Sequence, residues 1–264
     1  MLRNILPREE LRSLAGRRAK PDEYKSVRNQ LVAEEIGKGW AAAKKSGKTT
    51  TRLKRQKSLD RLLEDRVWVL LYRMGFAHLS GQGGAFQGLA EGKEGQPESQ
   101  IDVVAIDAEA AVVVECKSSA SPRKFGDFSA VLAKHVALRK GFGRSLQAQF
   151  PTAKKHGLVF VIWTAGIVPT DSDRSRAQAE KVCLLDEKDL DYYETLINQI
   201  GAAARYQFLA DLLQGQAIPG LEITVPAIRT RMGSFDAYVF SVSPEYLLKI
   251  AFVSHRKRGK ATDI

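Results

Sequence analysis

Two consecutive apolar runs, IDVVAID at residues 101–107 and AVVVECKSS at residues 111–119, constrain the fold of this chain more than any other feature. Both runs are rich in Val, Ile or Ala and a short turn separates them, so they predict two adjacent strands of one sheet. Charged side chains interrupt these runs at Asp102, Glu115 and Lys117. Because a buried charge is costly unless it is paired or bound to a metal, these positions indicate either an ion-paired strand end or a cation site.

The spacing of these charges allows them to meet. Side chains alternate along a strand, so Glu115 and Lys117 are expected on one face, where Asp102 of the neighbouring strand can approach Glu115. Two carboxylates and the backbone carbonyl of Cys116 would form a partial oxygen shell of the kind that Mg²⁺, or Mn²⁺ in its place, accepts. Lys117 could then orient a metal-bound water or neutralise charge that develops on a phosphate. The alternative is an ordinary ion pair between Lys117 and the two carboxylates.

The segment 58–76, SLDRLLEDRVWVLLYRMGF, predicts a helix. Ser58 is suited to the N-cap and Gly75 to the C-cap, and apolar residues recur at helical spacing between them. Glu64 lies at the border of the apolar face, which makes it a further, less direct candidate for the cation site.

The rest of the chain predicts an α/β fold with a mixed sheet, because helical and strand-like segments alternate along it. Residues 5–45 are expected to be interrupted helices, and the Gly-rich segment 81–100 a mobile loop. The later elements are expected as a helix at 127–150 with a break near Gly141–Gly143, a buried strand at 158–166, a helix at 171–180, a short strand at 181–187 and a pair of helices at 190–200 and 202–215.

Positive charge is concentrated at one end of the chain. Of the net charge of +11, residues 1–57 hold +10, from 16 Lys and Arg against six Asp and Glu. Such a basic block is typical of proteins that bind a polyanion, either nucleic acid or anionic lipid, although a solvated helical arm would have the same composition. The residues predicted to contact nucleic acid are Lys44, Lys45, Lys48, Arg52, Lys54, Arg55 and Lys57.

Several classes of protein are disfavoured by composition. A hydrophobic content of 44% suffices for a folded core, yet no run approaches the roughly 20 apolar residues of a membrane span. The first 20 residues lack the apolar region of a secretory signal. The two cysteines, Cys116 and Cys183, have no metal-binding spacing, so a reducing cytoplasm without disulfides is expected.

The order of helix with Glu64, strand with Asp102 and strand with Glu115-Cys116-Lys117 resembles the PD-(D/E)xK nuclease superfamily, in particular its restriction-endonuclease-like and Mrr-like domains. The resemblance covers residues 58–190, and Ile101 stands where many members have Pro. It implies a mixed central sheet flanked by helices, with Mg²⁺ or Mn²⁺ bound by Asp102 and Glu115, help from Lys117, and in some members a metal-supporting Glu on the first helix.

The domain prediction places a basic helical N-terminal region at 1–57, the nuclease-like domain at 58–192, and a helical connector with a partial C-terminal module at 193–264. Residues 235–256 resemble the start of DGQHR-domain proteins of DNA-modification and phage-defence systems. Together these resemblances imply a cytoplasmic endonuclease acting on DNA, without a membrane, as a homodimer or with other defence proteins. A non-catalytic subunit that senses modified DNA and an RNA-processing nuclease remain alternatives.

Overall fold

The computed structural model of the chain describes residues 2–43, 47–88, 98–107, 110–150 and 157–213, together with four short strands between residues 217 and 237. Most of the segment that resembles a DGQHR domain lies outside these residues, as do Lys44 and Lys45.

The β-strands are β1 (Leu2–Arg3), β2 (Ile5–Pro7), β3 (Asp22–Arg28), β4 (Ala41–Ala42), β5 (Thr50–Gln56), β6 (His78–Ser80), β7 (Ala85–Gly88), β8 (Glu98–Ile101), β9 (Val103–Ile106), β10 (Ala110–Lys124), β11 (Gly157–Val168), β12 (Val182–Leu185), β13 (Ala217–Ile218), β14 (Ile223–Thr224), β15 (Thr230–Met232) and β16 (Phe235–Ala237). The α-helices are α1 (Arg12–Arg18), α2 (Val32–Gly37), α3 (Leu59–Arg73), α4 (Phe128–Gln149), α5 (Asp171–Ala179), α6 (Glu187–Ile200) and α7 (Ala204–Leu212).

A six-stranded mixed sheet in the order β12-β11-β10-β9-β6-β2 forms the centre of the fold. The strands β10, β11 and β12 run parallel to one another, whereas β9, β6 and β2 continue the sheet in antiparallel pairs. The buried parts of these parallel strands are nearly continuous runs of apolar residues, because helices cover both of their faces there, whereas the second half of β10 is polar and largely exposed. The predicted mixed α/β sheet flanked by helices is confirmed.

Alternate residues of β10 pack into two separate apolar layers. Val112 and Val114 face a cluster that includes Trp68 of α3 and Tyr192 of α6, whereas Val113 faces a second cluster with Phe142 of α4. The predicted domain boundary at residue 192 falls inside helix α6, and α7 packs with α6 in the first cluster. The sheet therefore stands between two helical layers, one with α3, α6 and α7 and the other with α4 and α5.

The prediction of a helical N-terminal region was right for α1 and α2 but wrong for the segments that form strands. Residues 22–28 and 50–56 instead form a seven-residue antiparallel pair, β3 with β5, and β4 adds a third strand. Inward and outward residues alternate in β5, where Thr51 and Leu53 are buried while Arg52 is exposed, which is the period of a strand. The Lys and Arg residues between them masked this alternation in the sequence.

A small three-stranded sheet, β1-β7-β8, adjoins the large one through single-residue joints. Asn4 alone separates β1 in the small sheet from β2 in the large sheet, and Asp102 alone separates β8 from β9. Asn4 has a left-handed backbone with φ of 61°, and its side-chain amide donates to the carbonyls of Gln82 and Gly84 at 3.0 and 2.6 Å. Both residues therefore lie at the boundary between the two sheets.

Two other predictions need correction. The segment 81–100, predicted as a loop, contributes β7 and β8, although residues 89–97 lie outside the described part of the chain. Helix α4 runs without a break through Gly141 and Gly143. Gly143 lies against Leu158 of β11, and the absence of a side chain at Gly143 permits this close approach. Among the described residues, no helix combines the length and apolarity needed to cross a bilayer.

Candidate functional site

The candidate site lies where β9 and β10 diverge. The paired register of these strands ends at Val103 with Val114, and its continuation by one residue would set Asp102 opposite Glu115. The backbone N–H of Cys116 donates to the Asp102 carboxylate at 2.8 Å. The predicted approach of the two acidic residues therefore occurs in the fold, and it is set by the strand register.

Lys117 shares a face of β10 with Glu115, as the strand period predicted. Its ammonium group lies 2.8 Å from the Glu115 carboxylate, whose side chain is 8% exposed, whereas the Lys117 side chain is 36% exposed. Burial lowers the pKa of Lys117, but the Glu115 hydrogen bond and the charges of both carboxylates outweigh it and raise the pKa overall. Lys117 thus stays protonated at the edge of the site.

The pKa of the Asp102 carboxyl group is shifted upwards in this site. Burial and the neighbouring charge of Glu115 raise its pKa to about 7, against the opposing effect of the Cys116 N–H. Two carboxylates in a partly buried position repel each other unless a proton or a cation is shared between them. The Lys117 ammonium group already pairs with Glu115, as the ion-pair alternative predicted, and binding of a divalent cation by the two carboxylates stays a prediction.

Cys116 supports this site through its backbone. Burial, together with the neighbouring carboxylates, raises the pKa of its thiol well above the ordinary value, which disfavours the thiolate. Its N–H fixes Asp102, while metal binding by its carbonyl stays a prediction.

Glu64 enters the same cleft from α3. Ser58 caps this helix as predicted, since its side chain accepts from the Arg61 N–H. Glu64 accepts a bond from Arg61 at 3.2 Å, and burial raises its pKa in spite of that guanidinium. Glu64 is therefore a neighbour of the acidic pair and an ion-pair partner of Arg61 at once.

Asp60 and Ser118 were missed by the sequence reasoning. The Ser118 hydroxyl donates to the Asp60 carboxylate at 2.6 Å, which ties the first turn of α3 to the exposed part of β10. Only the spatial proximity of these two elements reveals the contact, because 58 residues separate the two positions in the sequence.

Most of these side chains line an open cleft of about 460 Å³, whereas Glu115 lies buried behind its surface and is not part of the lining. Its acidic wall is formed by Asp60, Glu64 and Asp102, and Lys117 and Arg123 supply positive charge beside it. Within the ranges that the structure describes, no three side chains of the His, Cys, Asp and Glu types are grouped closely enough to hold a metal ion. Any cation here would accordingly depend on the Asp102–Glu115 pair, backbone oxygen and water.

The basic residues predicted to contact nucleic acid have different surroundings in the fold. Lys48 and Arg52 are exposed, and the Arg52 guanidinium lies 4.6 Å from the ring centroid of Tyr24. Lys54 approaches Asp22 at 3.9 Å, and Arg55 is bound to Glu23 at 2.6 Å.

Lys57 requires a correction. It is buried, with its ammonium group 2.9 Å from Asp65 and 3.0 Å from the Arg18 carbonyl. An ammonium group enclosed in this way serves the fold and is not a surface contact for a phosphate.

Comparison with known proteins adds little to this geometry. No protein-family model and no curated protein matches the chain. Among solved structures, the crystal structure of protein VC1899 from Vibrio cholerae is similar at 17% identity, with a TM-score of 0.37. The match covers 75% of this chain and 50% of that protein, so the chain spans about half the length of the structure it matches.

Proposed function

We propose that this protein is a metal-dependent phosphodiesterase that hydrolyses DNA as an endonuclease, with Mg²⁺ or Mn²⁺ as its cation. The observation that carries the proposal is the proximity of Asp102 to Glu115, with Lys117 bound to Glu115 and both Asp102 and Lys117 lining an open cleft. The resemblance of this residue order to the PD-(D/E)xK pattern supports the same chemistry.

A bound divalent cation would supply charge to the scissile phosphate and lower the pKa of a water molecule. Asp102 and Glu115 would hold it, and the N–H of Cys116 would keep the Asp102 carboxylate in place. Lys117, cationic and partly exposed, is placed to orient the attacking water and to offset the negative charge that grows on the phosphate. Glu64 and Asp60 would act further out, on water molecules around the cation.

A role in restriction, modification or phage defence rests on the resemblance alone. Action in the cytoplasm is in keeping with the two free thiols, Cys116 and Cys183.

The test is cleavage of supercoiled plasmid with Mg²⁺, with Mn²⁺ and with EDTA. We expect Asp102→Asn, Glu115→Gln and Lys117→Met each to lower the rate by about 100-fold or more, because each removes a positioned electrostatic group. Glu180→Gln, an exposed change on another surface, is the matched control.

The outcomes separate the remaining alternatives. Cleavage by Glu115→Gln at the wild-type rate would refute the assignment. Binding of DNA without cleavage by the wild-type protein would favour a non-catalytic subunit, and faster cleavage of structured RNA would favour an RNA-processing nuclease.

A further inference from the structure

A second cavity, separate from the acidic cleft, lies between α1, the β3–β5 pair and the beginning of α3. Its volume is about 440 Å³, and it is lined by seven basic side chains against three acidic ones. A concave surface with such an excess of positive charge focuses the electric field of its basic side chains and thereby attracts anions.

The acidic residues of this cavity are already engaged. Asp65 binds Arg18 and Lys57, each at 2.9 Å, Glu23 is bound to Arg55, and Asp22 is approached by Lys54 at 3.9 Å. By contrast, three basic side chains that line the cavity make no ion pair with a carboxylate in the described part of the chain: Arg17, Lys20 and Arg52.

Two of these three cations contact the same aromatic ring, that of Tyr24. The Lys20 ammonium group lies 5.7 Å from the ring centroid of Tyr24, and the Arg52 guanidinium lies 4.6 Å from it. Contacts of this kind fix a cation by attraction to the ring and leave its hydrogen-bond donors available. The cavity thus presents positioned donors whose charge is not neutralised.

Arg18 supplies an independent sign of a missing partner. It is 4% exposed and lines the cavity, and its Nε has no hydrogen-bond acceptor, although its other nitrogens bind Asp65 and the Gly81 carbonyl. A buried donor without a partner is uncommon and costs free energy, so an acceptor oxygen is to be expected at this position. The cationic groups around it favour an anion as the source of that oxygen.

We propose that this cavity binds a phosphate group of the nucleic acid, away from the bond that is cut. The substrate class rests on the proposed function. The geometry of α3 relates the two sites, because Arg61 and Asp65 line this cavity while Asp60 and Glu64, on the adjacent flank of the same turns, line the acidic cleft. Arg61 joins them directly through bonds to Glu64 at 3.2 Å and Asp65 at 3.4 Å.

The experiment measures binding in EDTA, so that cleavage does not enter. The probes are a single-stranded 20-mer with a 5′-phosphate, the same strand with a 5′-hydroxyl, and inorganic phosphate as a competitor. The variants are Arg17→Gln, Lys20→Gln and Arg52→Gln, whose side chains are exposed and outside the buried ion pairs, and Lys188→Gln is the control with the same loss of charge on another surface.

We expect each cavity variant to weaken binding by about tenfold and to lower the log–log salt slope by about 0.7, as for one lost phosphate contact on a single strand. Loss confined to the 5′-phosphorylated strand would assign a terminal phosphate, and equal loss on both strands an internal one; either result supports the proposal. Losses no larger than that of Lys188→Gln would overturn it. A wild-type protein that never cuts, yet shows these losses, would refute the nuclease and leave the phosphate site standing.

Discussion

The buried charge cluster around Asp65 allows a quantitative prediction. The side chains of Arg18, Asp65 and Lys57 are 1%, 2% and 5% exposed, and Arg61 approaches the same carboxylate at 3.4 Å. Removal of one partner from a buried ion pair leaves the other charge uncompensated and costs about 3–5 kcal/mol. We expect Asp65→Asn to lower the free energy of unfolding by this amount, since the shape of the side chain is retained and no cavity is created.

Glu23→Gln is the matched control. It removes a carboxylate from the Arg55 pair at 2.6 Å, but both side chains are more than a third exposed, so its expected cost is below about 1 kcal/mol. Urea denaturation followed by circular dichroism gives both values, provided that the denaturant slope stays the same. A loss for Asp65→Asn no greater than that for Glu23→Gln would show that water already solvates the cluster, and the reasoning from burial would be refuted.

Three further predictions concern other parts of the fold. Burial lowers the pKa of His135 to about 4, so between pH 6.5 and pH 4 the unfolded chain binds a proton that the folded chain does not. The free energy of unfolding should therefore fall by about 3 kcal/mol as the pH drops to 4. In urea titrations at several pH values, His135→Leu should lack this pH-dependent loss. Gly166→Ala should cost about 2 kcal/mol more than Gly83→Ala in thermal unfolding, because both have positive φ but only at Gly166 would a Cβ meet a carbonyl oxygen, at 2.2 Å; equal costs would contradict this. Glu64→Gln should slow plasmid cleavage by about tenfold without abolishing it, and an unchanged rate would exclude Glu64 from the site.

The central strands and their helices could be predicted from the sequence, because burial on both faces of the sheet requires long apolar runs that are easily recognised. The first half of β10 and most of β11 are apolar, and α3 has a capping serine and a regular apolar stripe. The proximity of Asp102 and Glu115 was predictable for the same reason, since a tight turn and a period of two leave few registers open.

The N-terminal third was harder to predict because its order depends on distant contacts. β1 and β2 are two and three residues long and pair with strands near residues 80–87, which no local pattern records. Lys57 looked like part of a basic surface segment, and only its contact with Asp65 of α3 reveals its buried role. For the same reason, deletion of residues 1–57 would remove the edge strand β2, so single charge substitutions are the appropriate test of the basic region.

The single-residue joints at Asn4 and Asp102 give the candidate site a mechanical property. Any rotation of the small sheet β1-β7-β8 against the large sheet must be absorbed by the backbone torsions of the residues that join them. Asp102 is one of these, and its carboxylate is held on the large sheet by the Cys116 N–H. A change in the angle between the two sheets would therefore have to be taken up in part by the backbone of a proposed metal ligand.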